Sequence, residues 1–131
     1  MNSIPLSRKP AQDDALKFGK DDLFEPQKVA QFLQLDRDDV SRIADVPIAS
    51  IRWDLDVPHP VKACLREIGE TANLVAQVFD GSVAKTALWF QTINPLLGNI
   101  APSDMIRAGR HDRLRRFIDS TTDDDRRPAQ K

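Results

Sequence analysis

Few side chains in this sequence are of a type and spacing that could do chemistry at neutral pH. His59 stands between Pro58 and Pro60, and His111 opens a late helical segment; neither has a second imidazole or thiol at metal-ligand spacing. The lone cysteine, Cys64, rules out an internal disulfide, and its place on an apolar helical face makes it a small buried hydrophobe. Carboxylates are plentiful, but they sit at helix starts and on charged faces, where solvation accounts for them. There is no glycine-rich phosphate loop, no GxSxG elbow and no Walker lysine. The residues therefore predict no catalytic group, no metal site and no cofactor, and the chain is expected to act by binding.

Two stretches carry binding chemistry. In residues 37–55, Asp36 caps a helix with Val40, Ile43 and Ala44 on its inner face. Asp45-Val46 then makes a turn, and Pro47 opens a second helix to about Leu55. Two short helices joined this way form a helix-turn-helix pattern. The second helix would present Ile48, Ser50 and Arg52 to DNA, with Arg52 suited to guanine. Asp36, Asp38, Asp39, Asp45, Asp54 and Asp56 outnumber the local arginines, so phosphate attraction is weak. Asp45 also stands where such turns commonly have Gly, and Ser41 where a small apolar residue is usual. The second stretch is C-terminal. Arg110, Arg113, Arg115 and Arg116, preceded by Arg107, form an arginine rim around an apolar patch that includes Trp89 and the 94–97 turn. Trp89 itself suits core and interface equally.

The elements that must position these residues are helical. Hydrophobic residues make up 40% of the chain and charged ones 30%, with a formal net charge of -1 and few runs of period two. That pattern predicts a small all-α protein rather than a freely basic nucleic-acid binder. Residues 1–20 lack apolar period and read as a flexible arm, with order beginning near Asp21. Pro26 starts a helix carrying Val29, Phe32 and Leu33. Residues 56–60 hold Pro58 and Pro60 and mark the boundary between an N-terminal unit (21–57) and a C-terminal one (58–120). The longest helix begins at Pro60 and keeps Val61, Cys64, Leu65, Ile68, Ala72, Val75, Ala76 and Phe79 on one face. Asp80-Gly81 closes it, and Ser82 caps a helix with Val83, Ala87, Leu88 and Phe90. A short helix spans residues 103–108, and a last one, 110–120, buries Leu114, Phe117 and Ile118. Residues 121–131 read as a polar, disordered tail.

The order of punctuation in residues 87–118 is the most specific pattern. Trp89 ends a helix, Asn94-Pro95-Leu96-Leu97-Gly98 makes a turn, Pro102 opens a short helix and Gly109 precedes the last one. In this order the region resembles the C-terminal toxin-binding domain of Xre/MbcA/ParS-type antitoxins, with Trp89, Asn94, Pro95, Leu97, Gly98, Pro102 and Gly109 on the motif. The resemblance implies a type II antitoxin pairing an Xre-like helix-turn-helix with a toxin-binding domain. Its implied partner is a RES-domain toxin that degrades NAD, blocked by a C-terminal segment at the NAD pocket, and the complex would repress its own operon. On that template Trp89, Asn94, Leu97, Arg110, Arg113, Arg116 and Phe117 are the expected toxin contacts. Asp123 and Asp124 are expected to meet cationic groups of the NAD site. The alternative is a stand-alone helix-turn-helix regulator with a C-terminal dimerisation domain. With no apolar leader or bilayer-length apolar stretch, a cytoplasmic homodimer or hetero-oligomer is expected.

Overall fold

The computed structural model describes residues 14–54 and 56–126, with side chains through Thr121. Six α-helices follow one another among the described residues: α1 (Pro26–Leu33), α2 (Arg37–Ala44), α3 (His59–Val78), α4 (Val83–Gln91), α5 (Pro102–Arg107) and α6 (His111–Arg126). Among the described residues there is no strand; one isolated antiparallel bridge joins Asn94 and Ile100. The protein is all-α, as the apolar periods predict. Its local start signals also fall where expected. Pro26 and Pro102 occupy first helical turns, and Ser82 Oγ accepts the Lys85 amide. Asp36 and Asp39 form a reciprocal capping box: Asp39 N–H donates to Asp36 Oδ1 at 2.8 Å, and Asp36 N–H to Asp39 Oδ2 at 3.0 Å. Gly109, at φ 79°, ends α5 by letting Arg110 N–H reach the Met105 carbonyl at 2.9 Å.

α3 is the central rod. Its buried face of Val61, Leu65, Ile68, Ala72, Val75 and Ala76 packs against α1, α2, α4 and α6, while α5 closes the bundle over α2, α4 and α6. One hydrophobic cluster runs from Leu16 through Val29, Leu33, Val40 and Leu65 to Leu114 and Ile118. The proline segment before α3 is therefore a turn within a shared core, not a seam between two cores. Cys64, expected as a core residue, lies half-buried at the edge of this cluster.

Three expectations are corrected by the structure. The folded part begins before Asp21. Leu16 and Phe18 are buried, and Leu16 N–H donates to Asn73 Oδ1 of α3 at 3.1 Å. Phe18 lodges where α3 carries Gly69; a Cβ there would come within 3.2 Å of the Phe18 ring and 3.1 Å of Val29. Missing period in residues 14–20 reflected a short irregular strap, not lack of burial. Residues 1–13 lie outside the described residues.

The second helix of the helix-turn-helix does not form. Ile48–Ser50 is a single 3-10 turn, and Ile51 follows in extended geometry with its side chain buried. Arg37 Nη2 and Nε donate to the carbonyls of Ile48 and Ile51, both at 3.1 Å. In a continuing helix the Ile48 carbonyl would instead serve the amide of Arg52. β-branched Ile48 and Ile51, with Ser50 between them, also lower helix propensity, and Pro58 follows closely. Ser41, unusual for the motif, donates its hydroxyl to the Val46 carbonyl at 2.6 Å and holds the turn, where Asp45 takes φ 58°.

The last helix also runs further than the expected 110–120. α6 continues to Arg126, because no glycine or proline interrupts residues 110–127. Residues 127–131 lie outside the described residues.

Candidate functional site

Among the described residues, six of the eight large hydrophobic side chains left exposed fall within residues 78–100: Val78, Val83, Leu88, Ile93, Leu96 and Ile100. The same stretch carries only Asp80 and Lys85 as charged residues, in a chain that is 30% charged. Large apolar patches on protein surfaces are commonly places where a partner docks. The centre of this exposed surface is a groove of about 250 Å³ between the C-terminal end of α3, α4, the 94–98 turn and α6. Val75, Val78 and Phe79 form one wall, Trp89, Asn94 and Leu96 the second, and Phe117, Ile118 and Thr121 the third.

Local chemistry explains how the turn presents this surface. Asn94 Oδ1 accepts the Leu96 amide at 2.9 Å, and Asn94 N–H donates to the Ile100 carbonyl at 3.0 Å. The Asn94 carbonyl accepts the amides of Leu97 and Asn99. Four bonds on one residue close the loop around the 3-10 turn Pro95–Leu97 and thrust Leu96 outward, 77% exposed. Trp89 is anchored from behind. Its ring meets Phe90 edge-on at 5.1 Å, and Phe90 meets Phe32 at 6.2 Å, so Trp89 has one side on the core and the other in the groove.

The expected contact residues thus divide. Trp89, Asn94 and Phe117 line the groove. Leu97 does not; it turns inward, half-buried against the core, and its neighbour Leu96 takes the outward place. Arg110, Arg113 and Arg116 are exposed, with no ion pair recorded for them among the described residues; Arg113 lies one turn before Phe117 on α6. Arg115 is tied to Asp119 at 3.4 Å. Arg107 is not part of the rim. It reaches back to the Leu33 and Gln34 carbonyls at the end of α1, each at 3.2 Å, and pairs with Asp104 and Asp39. Asp123 and Asp124 belong to the helical end of α6, and their side chains lie outside the described residues. Sequence reasoning missed Val78, Leu88 and Ile93, and placed Leu96 in the patch only as part of the 94–97 turn. Their signal was present: α4 has apolar residues on all sides, and only Phe90 and Thr86 are buried.

The expected DNA readers are not presented on a helix. Ile48 and Ser50 sit in the 3-10 turn, and Arg52 follows it, pairing with Asp54 at 3.6 Å. Asp38, Asp45, Asp54 and Asp56, nearby in the sequence, are exposed.

Two ionisable groups are shifted. Burial pushes the Asp14 carboxyl up, but the amides of Phe18 and Gly19, the Asn73 amide and Lys20 outweigh it and hold the group below the usual carboxylate range. Burial, followed by the charges of Glu67 and Asp112, pushes the Cys64 thiol up to about 11. No protein-family profile, curated protein or solved structure matches this chain. No helix among the described residues is long and apolar enough to cross a membrane.

Proposed function

We propose that this protein is an inhibitor that works by docking, an antitoxin whose apolar surface between α3, α4 and α6 seats on a RES-domain, NAD-degrading toxin. The observation that carries this reading is the concentration of exposed apolar side chains in residues 78–100 around a preformed groove. A hydrophobic centre with an arginine-bearing rim is the composition of a protein interface, and Trp89 and Phe117 are anchors of the kind that dominate binding. The resemblance carried by the punctuation of residues 87–118 supports the choice of partner. Inhibition needs no chemistry from this chain: a docked bundle excludes NAD by occupying the entrance, and α6, which borders the groove, projects its C-terminal end past it. Operator binding is assigned to the toxin complex. The short turn at Ile48–Ser50 and its acidic surroundings give this chain alone little to hold DNA with.

The test is co-expression with the RES-domain product of the adjacent reading frame, co-purification, and measurement of toxin-catalysed NAD loss. Leu96 is 77% exposed. Burying a full leucine contributes roughly 1.5–3 kcal/mol, so burial of this one at the interface contributes about 1.2–2.3 kcal/mol, or roughly 7- to 50-fold in affinity. Leu96→Ala should lose most of that, and Leu88→Asp with Leu96→Asp should abolish both co-purification and inhibition while leaving the helical circular dichroism unchanged. Full inhibition by the folded double variant would reject this surface. Removing residues 122–131 should weaken inhibition more than binding, if the end of α6 closes the NAD entrance.

A further inference from the structure

Away from the groove, the first turn of α6 lies against the middle of α3 at His111. The imidazole side chain is mostly buried, 17% exposed, and its Nε2 faces two carboxylates. Glu67 Oε1 of α3 is 3.6 Å away and Asp112 Oδ1 of α6 is 3.7 Å away. The three donor atoms all lie within 4.8 Å of one another. Nδ1 of the same ring is buried with no hydrogen-bond partner among the described residues, so the ring meets ligands only through Nε2.

These spacings suit an ion better than a direct contact. Hydrogen bonds from a ring nitrogen to oxygen run about 2.7–3.2 Å. Four ligands held tetrahedrally at roughly 2.0–2.2 Å from one cation stand about 3.3–3.6 Å apart. The two distances to Nε2 lie at the top of that range or just above it, all three donors lie within 4.8 Å of one another, and the two carboxylates, 67% and 80% exposed, have room to close.

We propose that Glu67, His111 and Asp112 form a binding site for a divalent transition-metal cation of the zinc class, with water in the fourth position. The imidazole selects against calcium and magnesium, which take oxygen ligands, and one nitrogen with two carboxylates suits zinc or cobalt. Bound there, the cation would cross-link α6 to α3, two elements that also frame the groove.

The experiment uses the full chain, stripped by chelation and then titrated with zinc chloride by calorimetry, and with cobalt chloride by visible absorption. One-to-one saturable binding, a raised melting temperature and the intense visible bands of four-coordinate cobalt are expected. Glu67→Gln, His111→Gln and Asp112→Asn should each weaken binding by roughly 10-fold or more. Glu67→Gln is the deciding variant, because that side chain is exposed and its loss leaves the fold intact. Glu70→Gln, one turn further along α3, should bind as the unsubstituted chain does. Cys64→Ser should also retain affinity; a ten-fold loss there would overturn the three-donor assignment. Unchanged affinity in Glu67→Gln, or no saturable binding by the unsubstituted chain, would overturn the site altogether. Neither result bears on the docking surface, which is assayed with the partner and without added metal.

Discussion

Arg107 should be the arginine whose loss destabilises the protein most, although sequence alone places it among the surface arginines. Its Nη2 donates to the Leu33 and Gln34 carbonyls, both at 3.2 Å, which satisfies the orphaned end of α1. Nη1 meets Asp104 Oδ1 at 2.7 Å, and Nε faces Asp39 Oδ2 at 3.6 Å. Asp39 keeps Arg42 at 2.8 Å when Arg107 is removed, so no buried carboxylate is stranded. The two carbonyl bonds share one nitrogen and contribute about 1 kcal/mol each; the exposed pair with Asp104 adds a few tenths, and the Asp39 contact a similar amount. Arg107→Ala should therefore cost about 2–3 kcal/mol. At roughly 2.1 cal/mol/K per residue the chain's unfolding entropy is about 0.28 kcal/mol/K, so the melting midpoint should fall by roughly 7–11 °C. Arg107→Lys, with a point charge in place of a planar fork, should recover only part of this. Arg113→Ala, on the exposed rim, should stay within about 0.5 kcal/mol of the unsubstituted chain. Urea unfolding followed by circular dichroism measures all three. If Arg107→Ala and Arg113→Ala unfold at the same urea concentration, the tie between α5 and the end of α1 contributes nothing to stability.

Two titrations give further checks. Because the folded Asp14 carboxyl is held below its ordinary value, the stability it contributes is present above that value and is lost as pH falls through the depressed one. Asp14→Asn should thus lower the urea midpoint at neutral pH and flatten its decline in acid; an unchanged acid limb would detach Asp14 from the strap over α3. The Cys64 thiol, at about 11, should resist iodoacetamide in the native protein near neutral pH and react readily once unfolded in urea. Equal rates in the two states would contradict its burial.

The sequence by itself determined the helical class, most helix starts and the stops at Gly81 and Gly109, because those signals are local. Pro26, the Asp36–Asp39 box, Ser82 and Gly109 act on amides and carbonyls within a few positions of themselves. Asn94, Trp89 and Phe117, which line the groove, were legible as candidates for the same reason: turn chemistry and aromatic character are properties of the residue and its neighbours. Tertiary structure decided the rest. Whether residues 47–55 became a helix depended on Arg37 seizing the carbonyls of Ile48 and Ile51, and on Ile51 being needed in the core. Phe18 is ordered because Gly69 on α3 leaves space for its ring. Arg107 became structural rather than interfacial through carbonyls more than seventy positions earlier in the chain. Leu96 and Leu97 are chemically identical, and only the closure of the Asn94 loop chose which one faces out. Glu67 and His111 share no spacing that a sequence could flag. They meet because α6 folds back across α3, and burial of Leu114 and Ile118 against the core fixes where its first turn lands.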